Sequence, residues 1–140
     1  MGVAVGTIRV LLIDDNAFMR EAVATMLRDI GFRDVTEAGD GQSALRQLEI
    51  ANPGLIICDI EMTPMDGLQF VEALRAHSWH RAKEIPVIFL TVHTEAPIVK
   101  RAAKLGADAY VVKPVQKKQL EARIITVLEN ALVRKPRTPS

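Results

Sequence analysis

The sequence predicts an α/β protein built on a single doubly wound sheet of five parallel strands. Three observations carry that prediction. Short apolar runs alternate with segments of helical spacing five times along the chain, the pattern of successive βα units. The third run, Leu55, Ile56, Ile57 and Cys58, is apolar at every position, as a strand buried on both faces must be. The first and third runs both stop at carboxylates, Asp14 with Asp15 and then Asp59. In a parallel sheet such stops fall on one edge, the edge where ligands bind in open α/β folds.

Taken in order, residues 8–13 are the first predicted strand. Met19, Val23, Met26, Leu27 and Ile30 then recur at helical spacing over residues 16–30, with Asn16 or a neighbouring Asp as cap and Gly31 as stop. Residues 34–38 are a short, weakly marked second strand expected near an edge of the sheet. Asp40 and Gly41 turn the chain into a second helix carrying Ala44, Leu45 and Leu48, closed by Asn52, Pro53 and Gly54. The third strand ends at Asp59, and Pro64, Asp66 and Gly67 mark the turn after it. A third helix over residues 67–76 directs Leu68, Val71 and Leu74 or Ala73 inward. Residues 77–84 are read as a solvated polar loop, His77, Trp79 and His80 included. The fourth strand covers residues 85–91, with Pro86 tolerated at its start. Helix four covers about 97–105 and is stopped by Gly106. Strand five covers 109–112, and helix five, about 117–133, points Leu120, Ile124, Val127, Leu128 and Ala131 to one side. Parallel strands joined this way require right-handed crossovers and helices on both faces.

Composition narrows the function. A chain of 140 residues fits one domain, read here as residues 8–133 after an extension of residues 1–7. Residues 134–140 are basic, contain Pro136 and Pro139, and carry no apolar side chain, so a disordered tail is expected. A net charge of +1 offers no attraction for nucleic acid or an anionic membrane. One cysteine allows no internal disulfide, and Cys58 reads as a core residue. No secretory signal is visible, and no apolar run approaches the roughly 20 residues that span a bilayer. The expected location is the cytoplasm.

The strand tips carry the chemistry. Strand one offers Asp14 and Asp15, strand three Asp59, strand four Thr91 and strand five Lys113. Three carboxylates on one edge repel one another unless a cation joins them, and a hard ion such as Mg²⁺ suits an all-oxygen site. Lys113 adds a positive point charge and Thr91 a hydroxyl. Phosphoryl transfer needs this set: a carboxylate that attacks, positive charge for the equatorial oxygens, and a hydroxyl to hold one of them. The edge reads as a site that accepts a phosphoryl group on Asp59.

At these residues the chain resembles the receiver domains of two-component response regulators, nearest the stand-alone chemotaxis (CheY-like) type. The matching pieces are Asp14, Asp15, Met19 and Arg20; Gly31 and Phe32; Glu37 to Gly41; Asp59 with Met65, Asp66 and Gly67; Thr91; and Tyr110 with Val111, Val112, Lys113 and Pro114. The resemblance implies a flavodoxin-like fold with strand order 2-1-3-4-5. It implies that Asp59 is the phosphoacceptor. Asp15, supported by Asp14, would bind Mg²⁺ with Asp59 and the backbone carbonyl of Glu61. Lys113 would contact the phosphoryl group across a cis bond to Pro114, and Thr91 with Tyr110 would form a switch pair. Implied partners are a sensor histidine kinase or phosphotransfer protein, and a target reading helix four, strand five and helix five. The chain would act as a signalling protein, monomeric or weakly dimeric, with no direct contact to nucleic acid or membrane.

The sequence departs from the family pattern at Thr63, where proline is common, at Val92, where a small residue is frequent, and at Val115, where phenylalanine is usual. Ala109 replaces an acid found in regulators that dimerise through the output face. Glu61 and His93 stand at variable positions flanking the site. Two other readings compete: a phosphorylation-independent interaction module, and an aspartyl-nucleophile phosphatase of the haloacid dehalogenase type. The second type uses an aspartate where this chain has Glu61, and needs room for a substrate cap that this chain does not offer.

Overall fold

The computed structural model describes residues 4–134. Five parallel strands, β1 (Arg9–Ile13), β2 (Asp34–Ala38), β3 (Leu55–Asp59), β4 (Val87–Thr91) and β5 (Ala109–Val112), lie in the order β2-β1-β3-β4-β5. The helices are α1 (Ala17–Ile30), α2 (Gly41–Ala51), α3 (Gly67–Arg75), α4 (Ala96–Lys104) and α5 (Lys117–Val133). This is the predicted doubly wound architecture.

Alternation along each strand divides the core in two. Leu11, Ile13, Ile56, Cys58, Val87 and Phe89 face α2, α3 and α4, whose Ala44, Leu48, Phe70, Val71, Leu74 and Ala102 cover them. Val10, Leu12, Leu55, Ile57, Ile88 and Leu90 face α1 and α5, covered by Val23, Ala24, Leu27, Leu120, Ile124 and Leu128. β3 is buried at all five positions, and β2, the edge strand, at Ala38 alone. Each fully buried Leu or Ile contributes about 1.5–3 kcal/mol relative to exposure, so the central strands anchor the sheet.

Several local expectations shift. In α3 the inward residues are Phe70, Val71 and Leu74, while Leu68 is half-buried, because the helix begins with Gly67 pressed against the strand end. β4 starts at Val87 rather than residue 85: the Pro86 carbonyl accepts Ile56 N–H, but proline has no N–H for a ladder. The stretch of residues 77–84 is a loop with Ser78, His80 and Arg81 exposed, but it is solvated only in part. Trp79 packs on the core, Ala82 is fully buried, and Arg75 donates to the carbonyls of Ala82 and Lys83. Of residues 1–7, Val5–Thr7 form a 3-10 turn whose Val5 packs against the α1–α5 core. Arg134, read as the start of a disordered tail, instead donates to Asp108 Oδ1 at 2.8 Å and to the Glu84 carbonyl at 2.6 Å. The remainder of that tail lies outside the described residues.

Candidate functional site

Strand register assembles the site. Ile13 pairs with Cys58, so the next residues, Asp14 and Asp59, emerge side by side. Asp59 pairs with Leu90, which brings Thr91 to the same edge. Thr91 pairs with Val112, and Lys113 N–H then donates to the Thr91 carbonyl at 2.9 Å. Four residues far apart in sequence therefore meet because three strand pairs are in register.

Oxygen atoms of Asp14, Asp15 and Asp59 all lie within 4.8 Å of one another. Asp14, Asp59 and Thr91 are buried, at 1%, 3% and 1% exposure, whereas Asp15 is exposed. Lys113 Nζ is 3.0 Å from Asp59 Oδ2. One ammonium against three carboxylates leaves the edge strongly anionic. Burial pushes the Asp14 carboxyl up from its ordinary value; the Asn16 N–H draws it down, Asp59 raises it, Lys113 lowers it and Asp15 raises it. Asp14 Oδ1 accepts that Asn16 N–H at 2.9 Å, but Asp14 Oδ2 is buried without a hydrogen-bond partner. An orphaned carboxylate oxygen beside two further carboxylates is what a hard divalent cation completes, so the donor set fits such an ion.

The loop after β3 closes one wall. Glu61 N–H donates to Asp59 Oδ1 at 3.2 Å, and Thr63 N–H to Asp15 Oδ2 at 3.2 Å. The Thr63–Pro64 and Lys113–Pro114 bonds are both cis. Asp66 caps α3 in a capping box with Gln69. Gly67 is required for close approach: a Cβ there would stand 2.6 Å from the Asp59 carbonyl oxygen and 2.8 Å from Ile60 Cα. Cys58 lies beneath, fully buried, its thiol held well above the ordinary range by burial and then by Asp59. It is an inert core group.

The opposite wall is the segment after β4. Thr91 Oγ1 accepts His93 N–H at 2.8 Å. The His93 ring reaches across the mouth, with Nε2 3.1 Å from Glu61 Oε2 and Nδ1 3.3 Å from Glu95 Oε2. Glu95, then Glu61, raise the imidazole from its ordinary value. Glu61 and His93 were singled out in the sequence only as positions flanking the site; side-chain pairing between them has no local signal.

Tyr110 is not part of the cluster. It sits on β5 at 36% exposure and borders a surface groove of about 470 Å³ with Val112, Gln119 and Arg123. Lys117 and Lys118 are exposed charges at the start of α5.

The family described as "Response regulator receiver domain" matches residues 10–125. The chemotaxis protein CheY of Pseudomonas aeruginosa is 34% identical over 121 residues, covering 86% of this chain and 96% of the relative. The transcriptional regulatory protein PdtaR of Mycobacterium tuberculosis is 41% identical over 107 residues, 76% of this chain but 49% of its own length. The chain therefore spans about half of that regulator. Among solved structures, the chemotaxis protein CheY4 of Vibrio cholerae aligns with a TM-score of 0.80 at 32% identity, covering 86% of this chain and 98% of its own. None of these similarities favours a phosphatase or a phosphorylation-independent module. Family match, strand order and acidic edge agree, and the chain belongs to the receiver domains of two-component response regulators.

Proposed function

We infer that Asp59 is the phosphoacceptor of this receiver domain and that the domain spans residues 8–133. The observation that carries the reading is the register-driven meeting of Asp14, Asp59, Thr91 and Lys113 at one edge. In the step proposed, a carboxylate oxygen of Asp59 bonds to phosphorus as the P–N bond of a partner's phosphohistidine breaks. The departing imidazole nitrogen takes up a proton. Asp14, Asp15, Asp59 and the Glu61 carbonyl would hold Mg²⁺, which when bound would supply positive charge for the phosphoryl oxygens. Lys113, already 3.0 Å from Asp59, contributes a second positive charge. The Thr91 hydroxyl then turns from the His93 amide toward the new oxygens, and Tyr110 moves inward on β5.

This is a two-state equilibrium biased by a local change in charge. Its readout is the face formed by α4, β5 and α5, where Tyr110 borders a groove available to a target protein. The partners proposed are a sensor histidine kinase or phosphotransfer protein on the input side and a protein target on the output side, with the domain monomeric or weakly dimeric. Its role is signalling, in the cytoplasm; among the described residues no helix is long and apolar enough to cross a membrane.

The test is intact mass after incubation with acetyl phosphate and Mg²⁺. The expected result is one phosphoryl adduct, dependent on Mg²⁺ and absent from Asp59→Asn. An adduct that persists in the variant, or none in the wild type under rapid quenching, defeats the assignment.

A further inference from the structure

Arg20 stands in the stretch that carries the family resemblance, yet no role in the site falls to it from the strand-tip chemistry. Its side chain, on the first turn of α1, is only 20% exposed. Nη1 donates to the Asp14 backbone carbonyl at 2.6 Å, while Nε donates to Glu37 Oε1 at 3.1 Å. Glu37 belongs to β2, and the carbonyl of its neighbour Ala38 accepts Asp14 N–H at 3.2 Å. The Asp14 residue is therefore gripped from both sides, its amide by β2 and its carbonyl by a guanidinium that β2 also holds.

That carbonyl belongs to the peptide joining Asp14 to Asp15. A planar peptide with a fixed carbonyl fixes the direction in which the next Cα leaves, and with it the starting point of the Asp15 side chain. Asp15 is exposed and takes one contact across the site, from Thr63 N–H at 3.2 Å. Among the described residues its carboxylate accepts no other hydrogen bond, so the peptide orientation decides how closely it approaches those of Asp14 and Asp59. Small hard cations tolerate little error in ligand placement, and partners that orient ligands from behind are worth about 10–100-fold in metal affinity.

We propose that Arg20 is a positioning residue for the cation site: by clamping the Asp14–Asp15 peptide to β2, it aligns the three carboxylates for a divalent ion. The proposal rests on the reading of the acidic edge as a cation site, and two independent readouts keep them apart. In metal-free protein, amide NMR of Arg20→Met should show shifted signals for Asp15 and Thr63 and faster exchange at Thr63 than in wild type. In calorimetric titrations with Mg²⁺ alone, Arg20→Met should bind about 10–100-fold more weakly than wild type. Arg28→Ala removes a different guanidinium facing Glu37, at 3.9 Å, and should leave the affinity unchanged within about twofold.

Arg20→Lys keeps the charge but loses the two-armed donor, and should fall between wild type and Arg20→Met. If Arg20→Met does not fold, Arg20→Lys carries the test, weakened binding being the expected result. Unchanged amide signals together with unchanged Mg²⁺ affinity overturn the proposal. Perturbed amides in a protein whose wild type takes up no Mg²⁺ would instead overturn the cation site and the alignment role with it, leaving only the clamp.

Discussion

The two edges of the sheet handle sheltered charge in opposite ways, buried at one and half-buried at the other. At the C-terminal edge three carboxylates share one lysine, and a buried Asp14 oxygen has no partner. At the N-terminal ends of β4 and β5 the charges are matched by dense bonding. Arg75 Nη1 donates to the carbonyls of Ala82, Lys83 and Ile85 at 3.1, 3.3 and 2.8 Å, and Nη2 to that of Gly106. Asp108 Oδ2 accepts Val87 N–H at 2.8 Å and lies 3.7 Å from Arg75, while Oδ1 accepts from Arg134. Gly106 lets the loop hug this arginine: its φ is +100°, and a Cβ would come within 2.8 Å of Arg75 Nε. One edge is finished by the protein itself. The other is left for a ligand to finish, which is why its defects read as function and not as poor packing.

That contrast is most strongly tested by removing the hub of the finished edge. Arg75→Ala removes the guanidinium that donates to several backbone carbonyls and takes one ion-pair partner from Asp108, and should destabilise the fold by about 3–5 kcal/mol, read as a lowered urea midpoint. A loss below about 1 kcal/mol would show that the network is ornamental at this edge.

At the unfinished edge the sign reverses. The carboxyl of Asp14 is raised in the folded state, so the folded chain holds a proton that the unfolded chain has released, and stability falls as pH rises between the two values. In EDTA at neutral pH, Asp14→Asn should therefore raise the stability, by an amount on the order of 1 kcal/mol read as a higher melting temperature, while weakening Mg²⁺ binding. Added Mg²⁺ should stabilise the wild type more than the variant. A variant that melts lower without metal would show that charge at Asp14 is already compensated.

The smallest effect lies at the rim. His93 is raised by Glu95 first and Glu61 second, so its pairing contributes stability below the imidazole's ordinary value of 6.5, and that contribution is lost as pH rises through the folded value. NMR titration of Glu95→Gln should move His93 back toward 6.5, and Glu61→Gln should do so by less. No movement in either variant would separate the rim from the site.

The sequence alone determined the architecture and the strand tips. Uniform apolarity in β3, helical spacing in α1 and α5, and carboxylates at the ends of two strands are local patterns. They depend only on neighbours a few residues away and on the need to bury both faces of a parallel sheet. The meeting of Asp14, Asp15 and Asp59 was legible for the same reason, since parallel strands present their tips on one edge. Tertiary structure decided the rest. Arg20 on the Asp14 carbonyl, His93 across to Glu61, Arg75 on Gly106 and Arg134 on Asp108 join long side chains to groups that the crossovers happen to bring near. Residues 77–84 look like a solvated loop by composition, yet Trp79 and Arg75 dock them. A flexible arginine or histidine has no periodicity that records its partner; only the packed positions of the loops select it.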